Sequence, residues 1–196
     1  MSKLKVVGFD PSMKNWGIAH GIYCTASKRV TIESLNVIQP VLPTGKQVRR
    51  NSKDLEAAVQ LANGAFEATQ GAQAIFVEVP SGSQSARASA GYGMCVGILA
   101  TLRMGGVSFF ELTPTEVKVA AVGKGTATKR EMIEWAKAEQ PELVYPTYIK
   151  NGVATIVEGK AEHMADAVGA IHAGIQSDQF QQLLQLQLDP RNPYAN

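Results

Sequence analysis

Three carboxylates and one imidazole stand in this chain where packing alone does not ask for them. Asp10 closes the apolar run Leu4 to Val7 and is followed by Pro11-Ser12 and, later, Gly17. Glu78 interrupts the apolar stretch Ile75-Phe76-Val77-Glu78-Val79. Asp166 follows His163 by three residues, a spacing that puts both on one helix face. An unpaired carboxylate at the tip of a buried strand costs several kcal/mol, so something positive must meet it. For Asp10 alone, that partner is a divalent metal, a Lys or Arg, or the amides of Ser12 or Met13 in the turn. Three such carboxylates without counter-ions would raise one another's pKa. Hard divalent cations relieve the repulsion, and an oxygen-rich set with few soft ligands favours Mg²⁺ or Mn²⁺. Two ions about 4 Å apart would activate a water and stabilise the leaving oxygen in phosphodiester cleavage. Glu162 lies i,i+4 from Asp166 and could take the place of His163, so that choice stays open. His20 and His172 fall in apolar contexts and read as structural.

These side chains need a scaffold, and the patterning supplies one. Three strand-like runs, Lys5 to Phe9, Gly17 to Tyr23 and Arg29 to Val37, are joined by short turns and must be antiparallel neighbours. Ser52 is expected to cap a helix from Lys53 to about Thr69, with Leu55, Ala58, Val59, Ala62 and Phe66 on one face. Gln73 to Val79 reads as a fourth strand and Val107 to Leu112 as a fifth. Between them, Ser83 to Met104 reads as a helix rich in Ala and Gly, implying a close packing contact or a dimer seam. Thr113-Pro114 opens a short helix, and Thr126 or Thr128 caps another over Lys129 to Glu139. Asn151-Gly152 between β-like runs signals a hairpin near 145–157. Lys160 to Ile175 is helical, and Ser177 caps a last helix ending near Leu188. Strands separated by helices join in parallel through right-handed crossovers. The order is that of an RNase H-like α/β domain with a mixed five-stranded sheet, three antiparallel strands then two parallel. One domain over 1–188 and an irregular tail over 189–196 are expected. In that topology the first and fourth strands are neighbours about 4.8 Å apart, which brings Asp10 and Glu78 together.

At 196 residues the chain is long enough to bury a core without staples. Its start runs straight into a strand with no apolar signal region, which argues for a cytoplasmic protein. No apolar stretch approaches a membrane span of roughly 20 residues. Cys24 and Cys95 read as reduced core residues. Net charge is only +2, yet the cations are bunched: Lys46, Arg49, Arg50 and Lys53, then Lys118, Lys124, Lys129 and Arg130. Such clusters suit a polyanion-binding face.

With these residues assembled, the chain resembles the RuvC family of Holliday-junction resolvases. Gly8-Phe9-Asp10-Pro11-Ser12 through Gly17 is similar to the family's opening motif, and Phe76-Val77-Glu78 to its second. Glu111, Val117-Lys118 and Lys129 resemble the segment carrying its two basic residues, and His163-Met164-Ala165-Asp166-Ala167 its last motif. The resemblance implies a homodimeric, Mg²⁺- or Mn²⁺-dependent endonuclease, with two ions per site, that cuts four-way and other branched DNA by paired nicks. It implies Asp10, Glu78 and Asp166 as metal ligands and His163 as a ligand or as the group that positions water. Lys118 and Lys129 would contact phosphate near the scissile bond, with Lys124, Arg130, Arg49 and Arg50 as further DNA contacts. The compact form suits a phage-type member. Two departures stand out. Val79-Pro80-Ser81-Gly82 lacks the aromatic wedge many members carry after the second motif, Tyr92 being the nearest. The hairpin with Tyr145 and Tyr148 has no expected counterpart in short bacterial members. The alternatives are an actin-like or sugar-kinase-type ATPase of related fold, or a non-catalytic branched-DNA-binding protein. No nucleotide cofactor and no membrane partner are expected.

Overall fold

From Val6 onward the first strand, β1 (Lys3–Asp10), is buried on both faces, so it must lie inside a sheet rather than at its edge. A computed structural model describes residues 3–45, 47–82 and 85–188. In it β1 pairs antiparallel with β2 (Trp16–Cys24), which pairs antiparallel with β3 (Arg29–Ile38). On its other side β1 pairs parallel with β4 (Ala74–Glu78), and β4 with β5 (Phe110–Leu112). The order β3-β2-β1-β4-β5 is the expected mixed sheet. α1 (Arg50–Ala68) and α2 (Ala86–Met104) cover one face. α3 (Pro114–Val122), α4 (Lys129–Glu139), α5 (Glu158–Gln176) and α6 (Asp178–Leu188) build on the other. A separate hairpin, β6 (Thr147–Lys150) and β7 (Val153–Ile156), precedes α5. Its turn residues Asn151 and Gly152 have φ of 51° and 77°, the left-handed pair a two-residue hairpin turn requires.

Thr113 and Thr128 cap α3 and α4, each in a reciprocal box with a glutamate three residues on, Glu116 and Glu131. Four sequence expectations are revised. α1 begins at Arg50, three residues early, and Ser52 is inside it rather than capping it. Its buried residues are Ala57, Leu61 and Ala65, whereas Leu55, Val59 and Phe66 are exposed. The cause is space: a Cβ on Gly64 would stand 2.8 Å from Ile38 of β3, so α1 approaches the sheet on its small-residue side. The Ala and Gly residues of α2 are not tightly packed within one chain either. Ala86, Ala88, Ala90, Gly93 and Gly97 are exposed, and Cβ atoms on Gly93 and Gly97 would meet nothing within 4 Å. Cys24 is half-buried, unlike the buried Cys95. Lys46, the Ser83 start expected for the second helix and the 189–196 tail lie outside the described residues.

α5 is the central helix of its layer, and it sits very close to the sheet. A Cβ on Gly17 would fall 2.0 Å from the carbonyl oxygen of His163, and one on Gly8 2.1 Å from that of Ala167. Only hydrogen fits there. Gly17→Ala is therefore expected to force α5 outward at His163, destabilising the fold by about 1–3 kcal/mol and slowing any chemistry that uses His163. A denaturant melt beside an activity assay checks this; an unchanged midpoint would mean that α5 yields freely.

Candidate active site

Strand alternation brings the first two carboxylates together. Val6 and Gly8 of β1 face α5, as do Ala74 and Phe76 of β4, while Val7, Phe9, Ile75 and Val77 pack on the α1–α2 side. Val6 pairs with Ala74 and Gly8 with Phe76. Two residues further on, Asp10 stands level with Glu78 on the α5 face, where both parallel strands end. α5 crosses above them and contributes Glu162, His163 and Asp166 from its first turns. All five line one cavity of about 420 Å³, together with Lys118 of α3 and Lys129 at the start of α4.

The interior of that cavity is crowded with negative charge. His163 donates from Nδ1 to Asp10 Oδ2 at 2.5 Å. Burial, then the charges of Asp10 and Asp166, push the Glu78 carboxyl well above its usual range. Asp166 is pushed up in the same way, by burial and then by Asp10 and Glu162. Burial works against the charged form of His163, but its bond to Asp10 and the surrounding carboxylates outweigh this and raise its pKa. Asp166 Oδ1 is buried without a hydrogen-bond partner among the described residues. A buried, unpartnered carboxylate oxygen beside two further carboxylates is a donor set suited to a hard divalent cation. Among the described residues no three such side chains are already drawn around a single point. They line a shared space, with Asp10 turned to His163.

The open choice between His163 and Glu162 resolves into two tasks. His163 meets Asp10, while Glu162 forms an ion pair with Lys129, Oε1 to Nζ at 2.6 Å. Lys118 lies near enough to Glu78 and Asp166 to counter part of their upward shift. The other expected cations are not gathered here. Lys124 is paired with Glu131, and Arg130 with Glu134 at 2.7 Å. Arg49 and Arg50 are exposed at the start of α1, in the layer across the sheet. Tyr92 lies in a neighbouring groove with Pro11–Lys14 and Pro80, beside the loops that follow Asp10 and Glu78.

One positioning residue escaped the sequence reading. Asn15 donates from Nδ2 to the carbonyl of Gly159 at 2.9 Å and accepts from Gln39 Nε2 at 2.7 Å. It fastens the loop after Asp10 to the first turn of α5, and so fixes Asp10 relative to His163. Its place in Asp10-Pro11-Ser12-Met13-Lys14-Asn15-Trp16-Gly17 was the available signal.

No protein-family model matches the chain. Over 134 residues, 67% of each protein, it is 32% identical to the crossover junction endodeoxyribonuclease RuvC of Anaeromyxobacter dehalogenans strain 2CP-C. This chain belongs to the RuvC family. The RuvC of Anaeromyxobacter sp. strain K is 30% identical over the same share. The RuvC fold is also found by structure. Thermus thermophilus RuvC in complex with a Holliday junction substrate matches with TM-score 0.60 at 18% identity, covering 88% of this chain and 95% of that one. The yeast mitochondrial Holliday junction resolvase matches with TM-score 0.54 at 16% identity, over 92% and 81%. RuvC-family nucleases depend on a metal, in keeping with the donor set. These relatives do not favour the ATPase or the non-catalytic DNA binder. Among the described residues no helix is long and apolar enough to cross a membrane.

Proposed function

We propose that this protein is a metal-dependent endodeoxyribonuclease that resolves four-way DNA junctions, and related branched DNA, by paired nicks from a homodimer. The observation that carries this reading is the level placement of Asp10 and Glu78 at the ends of two parallel strands, with Asp166 over them. Asp10, Glu78 and Asp166 would hold Mg²⁺ or Mn²⁺, two ions per site, with His163 at their edge. Bound there, such ions supply an activated water and charge stabilisation at the departing oxygen of a phosphodiester.

The chain's own groups do the rest. His163, donating from Nδ1, fixes Asp10 and leaves Nε2 as the ring's basic atom, able to accept a proton from the attacking water. Lys118 offers its ammonium beside the carboxylates, where a phosphate oxygen gathers charge. Lys129 is mostly exposed, and Glu162 holds it at the rim of the cavity, where it meets the DNA backbone. Burial of the carboxylates limits water around the reacting phosphate and strengthens each of these interactions.

The direct test is purified protein with Mg²⁺ or Mn²⁺ on a four-way junction, a replication fork, a flap and plain duplex. Symmetric nicks in the junction, without ATP and without cutting of duplex, are expected; junctions left intact would overturn the reading. Lys129→Ala is expected to slow cleavage by about 10- to 100-fold. It should also lower the slope of log affinity against log salt by about one, since one phosphate contact is lost. If rate and slope both match the wild type, Lys129 is a solvated surface charge.

A further inference from the structure

The β6–β7 hairpin is built unlike the rest of the fold. Six of its eight strand residues are exposed, and they include Tyr148 at 47%, Ile149 at 71% and Val153 at 65%. Its root is anchored by buried Tyr145 and by Ile156, which packs on the core. Two-stranded hairpins are at best marginally stable in water, so one that displays apolar side chains is expected to be covered in its working state.

Pairing sorts its side chains. Tyr148 stands opposite Thr155 and Lys150 opposite Val153, which places these four on one face. An aromatic ring, an ammonium and a hydroxyl on one strip are the components of a surface for unpaired nucleotides. From Leu143 to Val157 there is one Lys and no carboxylate, so nothing in the segment repels phosphate.

The hairpin also adjoins the active site. It leads directly into α5, and His163 lies five residues into that helix, about 7–8 Å along its axis. Between the hairpin root and α4 runs a cleft of about 710 Å³, lined by Lys129, Arg130, Ile133, Lys137 and Ile156, with Glu134 and Glu158 as its acidic members. Thr128 and Lys129 line both this cleft and the cavity of the carboxylates. A strand leaving the carboxylates can therefore continue past Lys129 and along α4 to the root of the hairpin at Ile156.

We infer that the β6–β7 hairpin is a second DNA-binding element, in which Tyr148 stacks on a base splayed from the branch point and Lys150 holds a neighbouring phosphate. The inference rests on the junction-resolvase reading and names the part of the substrate this surface takes. It also supplies an aromatic contact in a chain whose Val79–Gly82 loop has none.

The test compares wild type with Tyr148→Ala, Tyr148→Phe and Lys150→Ala. Binding to a four-way junction and to plain duplex is measured without divalent cation, cleavage is measured with Mg²⁺, and mass in solution by sedimentation. Tyr148→Ala should weaken junction binding about tenfold or more while duplex binding stays within about twofold, and Tyr148→Phe should restore the junction value. Lys150→Ala should reduce the salt slope for the junction by about one. Equal junction binding and cleavage by wild type and Tyr148→Ala would overturn the hairpin's role and leave the nuclease reading standing. A change in sedimenting mass in Tyr148→Ala would overturn it too, by making the hairpin a protein contact. A wild-type protein that cuts no branched DNA would instead defeat the nuclease reading itself.

Discussion

Asp10→Asn is expected to reduce junction cleavage at least about a thousandfold, about 4 kcal/mol of transition-state stabilisation, while junction binding persists. The substitution is nearly isosteric. The amide oxygen of the introduced asparagine can still accept from His163 Nδ1, so the contact between β1 and α5 survives and the fold should remain intact. What disappears is one of the three carboxyl groups proposed to hold a divalent cation. DNA carries negative charge as well, so removing a carboxylate from the cavity should leave affinity unchanged or raise it slightly. Gel-shift titration without divalent cation and single-turnover cleavage with Mg²⁺ separate the two effects. Cleavage within about tenfold of the wild type would take Asp10 out of the site. Loss of binding in parallel would point to a folding defect instead.

The second large effect concerns stability and has the opposite sign. Glu78→Gln should abolish cleavage yet make the metal-free protein more resistant to heat at neutral pH. Burial and the charges of Asp10 and Asp166 raise the Glu78 carboxyl above its ordinary 4.5 in the folded state. A group raised on folding contributes stability below its unfolded pKa and loses it as pH climbs through the folded value. At neutral pH the wild type has lost part of that contribution, whereas glutamine keeps a neutral side chain at every pH. The gain in Tm should be about 2–4 °C for each kcal/mol relieved, and it should shrink below about pH 5, where Glu78 of the unfolded wild type is protonated too. Mg²⁺ or Mn²⁺ should raise the wild-type Tm through mass action and raise that of Glu78→Gln much less. Scanning fluorimetry from pH 5 to pH 8, with and without cation, reads all of this. A variant that melts with the wild type throughout, and responds equally to cation, would mean that Glu78 neither repels its neighbours nor serves a metal.

The proposed function of this site works against its fold. On the proposed reading, three carboxylates under one helix cost stability until a cation is present, and the close seating of α5 at Gly8 and Gly17 keeps them from drifting apart. The Asn15 clamp has the same effect from the loop side. Substitutions that relax the repulsion should therefore stabilise the metal-free protein, and those that loosen α5 should weaken the site without touching a carboxylate.

Local signals carried much of this protein. The apolar runs of β1 and β4, each interrupted by a carboxylate, placed Asp10 and Glu78 at strand ends, because such a run needs only neighbouring residues to be read. Thr128, Asn151-Gly152 and the His163–Asp166 spacing were legible for the same reason: caps, turns and helix faces are set within a few residues. Choices between distant partners were left to the tertiary structure. α1 has apolar residues on more than one side, and only the closeness of β3 made the Ala57–Leu61–Ala65 side the buried one. Glu162 and His163 are adjacent in sequence and equally able to meet Asp10 or Lys129. The contact of the His163 backbone with Gly17, and the place of Lys129 at the head of α4, gave each its partner. Lys124 and Arg130 lie as near Lys129 in sequence as any site residue, yet Glu131 and Glu134 hold them outside the cavity. Spacing along the chain determined which groups could do chemistry; packing between elements separated by about 70 to 150 residues decided which of them meet, because such contacts depend on shape and space that no local pattern encodes.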